Sequence, residues 1–389
     1  MIPRTIFSEY HEMFRDSLNR FIAKEIMPHH AQWETDGIVP REAWRKAGEG
    51  GFLCSAVPEE FGGMGGDFLH SAIMVEEMAR HGATGPTFYL HSEIVAPYLV
   101  AYGTDAQRQK WLPKMATGEV IVALGMTEPS GGSDVQNIKT TAIRDGEHYV
   151  INGQKTFITA GFNADLVVLA CKTDPKQGAK GISLILVETN TPGFERGRKL
   201  EKIGCKAQDT AELFFSDMRV PVENLLGEEG RGFYMLMNEL AQERLVQAIR
   251  AVASAEAAVQ WTLDYALQRK MFGQTLADFQ NTQFKLAEMK AELTAQRVFV
   301  DRCCELHLDG KLDSTDAAMA KMVTTELQFK VMDQCLQLFG GWGYMWEFPI
   351  ARAFVDARLG RVGGGSIEVM KQIIAKSMLP KQPKRTEAG

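Results

Sequence analysis

None of the six cysteines in this 389-residue chain forms a CxxC pair, and no Cys/His cluster has zinc spacing. A zinc-ribbon site is therefore excluded. Cys54, Cys171, Cys205, Cys303, Cys304 and Cys335 read as buried small hydrophobes in a reducing compartment. Positive charge is not in surplus. Forty-three Lys and Arg against 49 Asp and Glu leave a net charge of −6, which argues against a general nucleic-acid binder and an anionic membrane surface. No uninterrupted apolar run reaches the ~18 residues of a membrane span. The opening "MIPRTIFSEYHEMF" carries neither a signal-peptide apolar core nor an Arg/Ser-rich, acid-poor presequence, so a cytoplasmic protein is expected. No GxGxxG is found, which removes the usual dinucleotide-binding fingerprint.

What is present is ordinary globular composition in three textures. With 45% apolar and 24% charged residues, the length suggests two or three domains of about 150 residues each. Residues 1–120 read as helical. Phe14, Leu18, Phe21, Ile22 and Ile26 follow helical spacing, with Ser8 as N-cap and Pro28 ending the run. Pro40 starts "PREAWRKAGEG" and Thr104 caps "DAQRQKWLPKMATG", while "PEEFGGMGG" (Pro58 to Gly66) reads as a loop. Residues 121–229 read as strands. Asp145-Gly146 and Asn152-Gly153 are expected to be hairpin turns, and "DLVVLACKT", "GISLILVET" and "AELFFSDMRV" to be further strands of a small barrel or sandwich. Residues 230–389 read as long antiparallel helices, one of them capped by Ser314 and ended by Gly340-Gly341. The final "PKQPKRTEAG" is expected to fray.

Two segments carry candidate chemistry. "GMTEPSGGSDVQN" (Gly125 to Asn137) is rich in small and hydroxyl residues. It is either a surface Gly/Ser loop or a loop that approaches a flat or phosphorylated ligand. "QLFGGWGYMWEFPIARAFVDAR" (Gln337 to Arg358) is either a glycine helix stop before an aromatic cluster or a close backbone approach to something else.

In this order and at this spacing, the two segments resemble the two signatures of the acyl-CoA dehydrogenase family, and the resemblance covers nearly the whole chain. "CKAQDTAELFF" (Cys205 to Phe215) and "GGWGYMWEFPIA" are most similar to the long-chain members. One departure is Asn137, where the family carries a small residue at the end of the loop. The resemblance implies an α+β fold: an N-terminal helical domain, a middle antiparallel β-barrel and a C-terminal four-helix bundle. It implies FAD, an acyl-CoA substrate, an electron-transfer flavoprotein as acceptor and a homotetramer built as a dimer of dimers. By the same resemblance, Met126 and Thr127 border the isoalloxazine. Gly132 and Ser133 approach the pyrophosphate, Ser133 also meeting substrate. Phe157 lies against the flavin, and Thr159 hydrogen-bonds near N5. Arg269, Phe272, Gln280, Gln337, Gly340 and Gly341 reach the FAD of a neighbouring subunit, and Ser366 and Glu368 lie near it. From spacing alone, Phe157 and Thr159 are two strand positions on one face, and Arg269 is a solvated helix-end charge.

The implied reaction is α,β-dehydrogenation of a fatty acyl-CoA thioester to the trans-2-enoyl product. A carboxylate takes the α proton and the β hydrogen leaves as hydride. Most relatives carry that carboxylate just before a Gly-Thr or Gly-Ser pair; the matching position here is Gly364, before Gly365-Ser366. Nearby Glu368 reads as an acid at a helix N-terminus. A minority, the isovaleryl and long-chain types, place the base on an earlier helix directly before an Arg. In "LAQERLVQA" that gives Glu243, followed by Arg244. Periodicity alone makes Glu243 a solvated helical residue; the resemblance makes it the base. Gly364 then offers its N–H as an oxyanion donor, with Gly365 and Arg244 beside the substrate. Alternatives on the same scaffold are an acyl-CoA oxidase, a flavin-dependent monooxygenase and a non-catalytic flavoprotein. The expected substrate is a medium-chain, long-chain or branched acyl group.

Overall fold

The computed structural model describes residues 2–379. The N-terminal third is helical: α1 (Glu9–Phe21), α2 (Met27–Asp36), α3 (Arg41–Glu49), α4 (Phe68–Arg80), α5 (Ala96–Tyr102) and α6 (Asp105–Ala116). Local chemistry sets most of these starts. Ser8 caps α1 and Thr104 caps α6, the latter in a reciprocal box with Gln107 that satisfies two orphan amides. Pro28 does not end the first run. A π-turn over Ile22–Ile26 resets the register, and Pro28 falls in the first turn of α2, where its missing N–H costs nothing.

Seven strands, β1 (Val122–Gly125), β2 (Thr141–Asp145), β3 (His148–Thr159), β4 (Leu166–Lys172), β5 (Ile182–Glu188), β6 (Phe194–Lys199) and β7 (Thr210–Pro221), join the two-residue β8 (Leu225–Leu226) in one sheet. The pairing is antiparallel except where β1 and the start of β2 run parallel to β4. Asp145 ends β2 at the expected hairpin, but Asn152-Gly153 makes no turn: β3 runs straight through it. The register against β7 shifts there instead. The Asn152 amide exchanges two hydrogen bonds with Asp217, and the irregularity is absorbed as a bulge.

The last third opens with α7 (Gly232–Gln268), 37 residues long. A hairpin of β9 (Lys270–Met271) and β10 (Gln274–Thr275) follows, then α8 (Gln280–Leu308), α9 (Ser314–Phe339), α10 (Pro349–Ala357) and α11 (Ile367–Met378). Buried alanines on α7 (Ala251, Ala255, Ala258) and α9 (Ala317, Ala320) let these two helices approach closely. The cap of α9 is Asp313, whose carboxylate accepts from the Thr315 and Asp316 amides. Ser314 is thereby freed for another partner. Glu76 on α4 is 1% exposed and receives Arg4, Arg15 and Arg297, tying the N-terminal helices to α8. The segment Pro380 to Gly389, expected to fray, lies outside the described residues.

Candidate active site

Glu243 sits about a third of the way along α7. Its Oε2 is enclosed and has no hydrogen-bond partner among the described residues. Burial pushes the carboxyl above its usual range, while Arg244 and Lys321 pull the other way. Arg244 is itself buried and is held by the Ser314 hydroxyl, which accepts from Nη1 at 2.8 Å. Lys321, fully buried on α9, donates to the Gly365 carbonyl at 2.6 Å. Its ammonium is pushed down to about 8, chiefly by burial and then by Arg244. Tyr98 is buried with its hydroxyl unpartnered, close enough for Glu243 to add to the effect of burial in raising its pKa.

The glycine loop meets this helix from the far end of the chain. Gly364 has φ +63°, a conformation that L side chains rarely hold. A Cβ built there would lie 3.4 Å from Glu243 Oε1 and 3.4 Å from Gln247 Cγ, which is ordinary contact. A side chain at 364 and the carboxylate at 243 would thus share one space. The Gly364 N–H donates to no acceptor among the described residues. Ser366 caps α11, accepting from the Val369 amide, and Glu368 is exposed on its first turn. There the helix N-terminus and the Ser366 hydroxyl hold its carboxyl below the usual range.

A second group forms around the loop after β1. Glu128 is buried and pairs with fully buried Lys155 at 2.8 Å. It also accepts from the Thr140 amide at 3.0 Å, while Lys155 Nζ donates to the Met126 carbonyl at 3.0 Å. Burial would raise Glu128, but the lysine and the amide donors outweigh it, and the carboxyl lies below its usual range. The Thr156 amide donates to the Thr127 carbonyl, stitching the loop to β3. Immediately beyond, β3 bulges between Lys155 and Ile158, and Phe157 takes φ +59° and stands 67% exposed. Thr159 shares its face, and its hydroxyl accepts from Gln208 Nε2 at 3.2 Å. Gly132 and Ser133 are exposed, and a Cβ at Gly132 would meet only the Thr127 side chain. Met126 packs on the cluster containing Met235 and Leu236, two turns of α7 before Glu243. An exposed aromatic on a strained bulge beside an open glycine loop fits a flat, phosphate-bearing group such as FAD.

A third group is remote from both. Arg269, Phe272, Gln337, Gly340 and Gly341 line one open cavity of about 800 Å³, with Gln280 at the adjacent start of α8. Phe272 is 93% exposed at φ +49°, and both glycines face open space. Single-sequence reasoning missed the Glu128–Lys155 pair, Lys321 and Gln247. A lysine inside the apolar run "AAMAKMV" is the one signal that points to Lys321.

Comparison with known proteins gives the family. The acyl-CoA dehydrogenase N-terminal, middle and C-terminal domain families match residues 8–119, 123–218 and 230–379. The chain belongs to the acyl-CoA dehydrogenase family. It is 50% identical over 378 residues to the mitochondrial long-chain specific acyl-CoA dehydrogenase of Mus musculus, covering 97% of this chain and 88% of that one. A solved acyl-CoA dehydrogenase from Geobacillus kaustophilus matches with a TM-score of 0.95 at 51% identity, covering 97% of this chain and all of that one. An acyl-CoA dehydrogenase from Bacillus anthracis, solved in complex with FAD, matches with a TM-score of 0.89 at 32% identity, covering 96% of this chain and 67% of that one.

Proposed function

We propose that this protein is an FAD-dependent acyl-CoA dehydrogenase that converts a medium-chain, long-chain or branched fatty acyl-CoA to its trans-2-enoyl-CoA, the opening step of β-oxidation. The observation that carries the reading is the enclosed, unpartnered Glu243 carboxylate facing the space beside Gly364. The α proton of a thioester is weakly acidic. The base that removes it gains strength from a dry site, which is the sense in which burial shifts Glu243. The Gly364 N–H donates to the thioester oxygen as negative charge develops there. Arg244 and Lys321 oppose the effect of burial on Glu243, and Lys321 holds the glycine loop through Gly365.

The isoalloxazine is held by Met126, Thr127, Phe157 and Thr159, the pyrophosphate by Gly132 and Ser133, and the cofactor's flank by Ser366 and Glu368. The flavin supplies, when bound, the acceptor to which the β hydrogen passes as hydride. Ser133 and Gly365 also meet the substrate. Arg269, Phe272, Gln280, Gln337, Gly340 and Gly341 serve the FAD of a neighbouring subunit, supported by their exposure around one open cavity. A homotetramer and an electron-transfer flavoprotein as acceptor complete the reading. No helix among the described residues is long and apolar enough to cross a membrane. All six cysteines are free and buried, which supports a reducing compartment such as the cytoplasm. Anaerobic bleaching of the holoenzyme's flavin by an acyl-CoA, with slow reoxidation in air, is the expected result. No bleaching across a panel of short to long, straight and methyl-branched acyl-CoAs overturns the reading.

A further inference from the structure

A base must give up its proton before it can act again. Glu243 Oε2 is enclosed and unpartnered among the described residues, and an acyl thioester lying on the carboxylate would cover the rest of it. Most of its neighbours offer no way out. Further along α7, the next side chains on the same face are Gln247 and Arg250, which line an inner cavity of about 270 Å³ between α7, α9 and α10. An amide and a guanidinium do not release protons at working pH, and the same holds for Arg244. Lys321 is fully buried, and its ammonium is committed to the Gly365 carbonyl at 2.6 Å.

The N-terminal direction along α7 differs. Glu239 lies one turn before Glu243 on the same face, about 6 Å along the axis. Its Oε1 accepts from the Tyr102 hydroxyl at 2.8 Å, and the exposed Asn238 donates to that hydroxyl at 3.4 Å. Glu239 and Tyr102 are each partly exposed, so this pair reaches solvent. Burial raises the Glu239 carboxyl above its usual range against the pull of the Tyr102 bond, so the group can hold a proton in transit. Tyr98 stands one turn before Tyr102 on α5, with the ring centroids 6.3 Å apart. It is fully buried, and its hydroxyl has no partner among the described residues. Besides burial, the charges close enough to raise its pKa are Glu243 first and Glu239 second. Two tyrosines four residues apart on α5 thus face two glutamates four residues apart on α7. The Tyr102–Glu239 rung is closed, and the Tyr98 hydroxyl is left open beside both carboxyls. A buried hydroxyl left unpartnered is costly, and a part in proton transfer accounts for it.

We propose that Tyr98 and Glu239 relay the α proton from Glu243 to solvent beside Tyr102. The proposal rests on the acyl-CoA dehydrogenase reading above, with Glu243 as base. The Cα–H bond breaks and its proton becomes the Glu243 carboxyl proton. That proton passes to Tyr98 Oη as the hydroxyl gives its own to Glu239, and Glu239 hands one to water. One proton reaches solvent, both carboxylates and the hydroxyl are restored, and the relay moves no electrons. The gap on either side of Tyr98 Oη is spanned by a turn of a carboxylate or by one water. The test follows the proton apart from the hydride. A 3-thiaacyl-CoA, with sulfur in place of the β carbon, has an acidic α proton and no β hydrogen to transfer. On the FAD-loaded enzyme in D2O it takes up deuterium at Cα only if the Glu243 proton exchanges with solvent while the ligand is bound, and mass spectrometry reads that wash-in. Anaerobic flavin bleaching by the ordinary acyl-CoA reads proton abstraction together with hydride transfer. Both rates scale with active holoenzyme, so their ratio is insensitive to misfolded protein. The wild type should show wash-in, and Tyr98→Phe and Glu239→Gln should each lower the ratio of wash-in to bleaching by at least about 10-fold. An unchanged ratio in both variants overturns the relay, as does a wild type that bleaches without wash-in. A fall in Lys321→Met with none in Tyr98→Phe also overturns it and moves the exit to the lysine side. Absence of both bleaching and wash-in in the wild type instead counts against the acyl-CoA dehydrogenase reading itself.

Discussion

Moving the base from α7 to the glycine loop tests the central geometry. Glu243→Gln keeps the shape of the side chain and removes its proton affinity. A positioned general base contributes typically 10²- to 10⁴-fold, so the reductive half-reaction should slow by about 1000-fold, or roughly 4 kcal/mol of barrier. FAD content should not change, because Glu243 is not among the residues assigned to the cofactor. Adding Gly364→Glu introduces a Cβ at ordinary contact distance, 3.4 Å from Glu243 Oε1 and from Gln247 Cγ, so the Cβ itself adds no steric cost. The cost is conformational: φ +63° disfavours any L side chain by about 1 to 2 kcal/mol. The double variant should therefore be less stable yet recover at least about 10-fold over Glu243→Gln. Gly364→Glu alone puts two carboxylates in one space, which raises the pKa of one and shifts the activity profile to higher pH. Stopped-flow flavin bleaching under anaerobic conditions reads all three variants. Near-wild-type bleaching by Glu243→Gln sinks the base assignment. No recovery in a folded, FAD-loaded double variant sinks the claim that positions 243 and 364 face one α carbon.

Other expectations follow from the same contacts. The bleaching rate should rise with pH through an apparent pKa above the usual carboxylate range. Lys321→Met should move that midpoint up further, since the lysine opposes the effect of burial; an unchanged or lower midpoint contradicts this. Ionising the buried Glu243 opposes folding, a penalty absent below the unfolded-state pKa that grows as pH rises through the folded one. Glu243→Gln should accordingly gain melting temperature over wild type at neutral pH and not in acid. Lys155→Met strands Glu128 in the interior and should cost about 3 to 5 kcal/mol, with weakened FAD retention; adding Glu128→Gln should restore part of the loss in thermal melts. Phe272→Ala removes a side chain that is 93% exposed and should leave far-UV circular dichroism unchanged, yet reduce both FAD content and oligomer size by light scattering. An unaltered holo-oligomer would remove the neighbouring-subunit role.

Elements whose ends are set by short-range chemistry were legible in the sequence. Thr104 with Gln107 is a cap, and Pro40 a fixed-φ start to α3, and both act within one turn. The misreadings came where tertiary context overrides a local rule. Pro28 breaks a continuing helix but is tolerated after a π-turn, and Asn152-Gly153 signals a hairpin unless a partner such as Asp217 absorbs it as a bulge. Ser314 was displaced from the cap by Asp313 because both residues suit it, and only the bundle brings Arg244 to the serine. The active site was legible only by resemblance. Helical periodicity assigns Glu243 to solvent, and the approach of Gly364 is a contact between distant parts of the chain that no local pattern encodes. Gln247 and Lys321 acquire their meaning from the same approach.

The length of α7 has a mechanical consequence. At 37 residues it is about 55 Å long. Its first turns pack on the cluster that holds Met126, its fourth turn carries Glu243, the turns after that wall the cavity lined by Arg250, and its end delivers Arg269 to the exposed hairpin. Distances among these four stations are fixed by one continuous hydrogen-bond ladder, not by loops. Fraying that spared the catalytic turn would have to stay near an end, so amide exchange around Glu243 should occur only with global opening. The helix is a ruler: it sets the spacing between Glu243 and the cavity that Arg250 lines, and a one-residue insertion between 243 and 250 would rotate Arg250 away from the face it shares with Glu243.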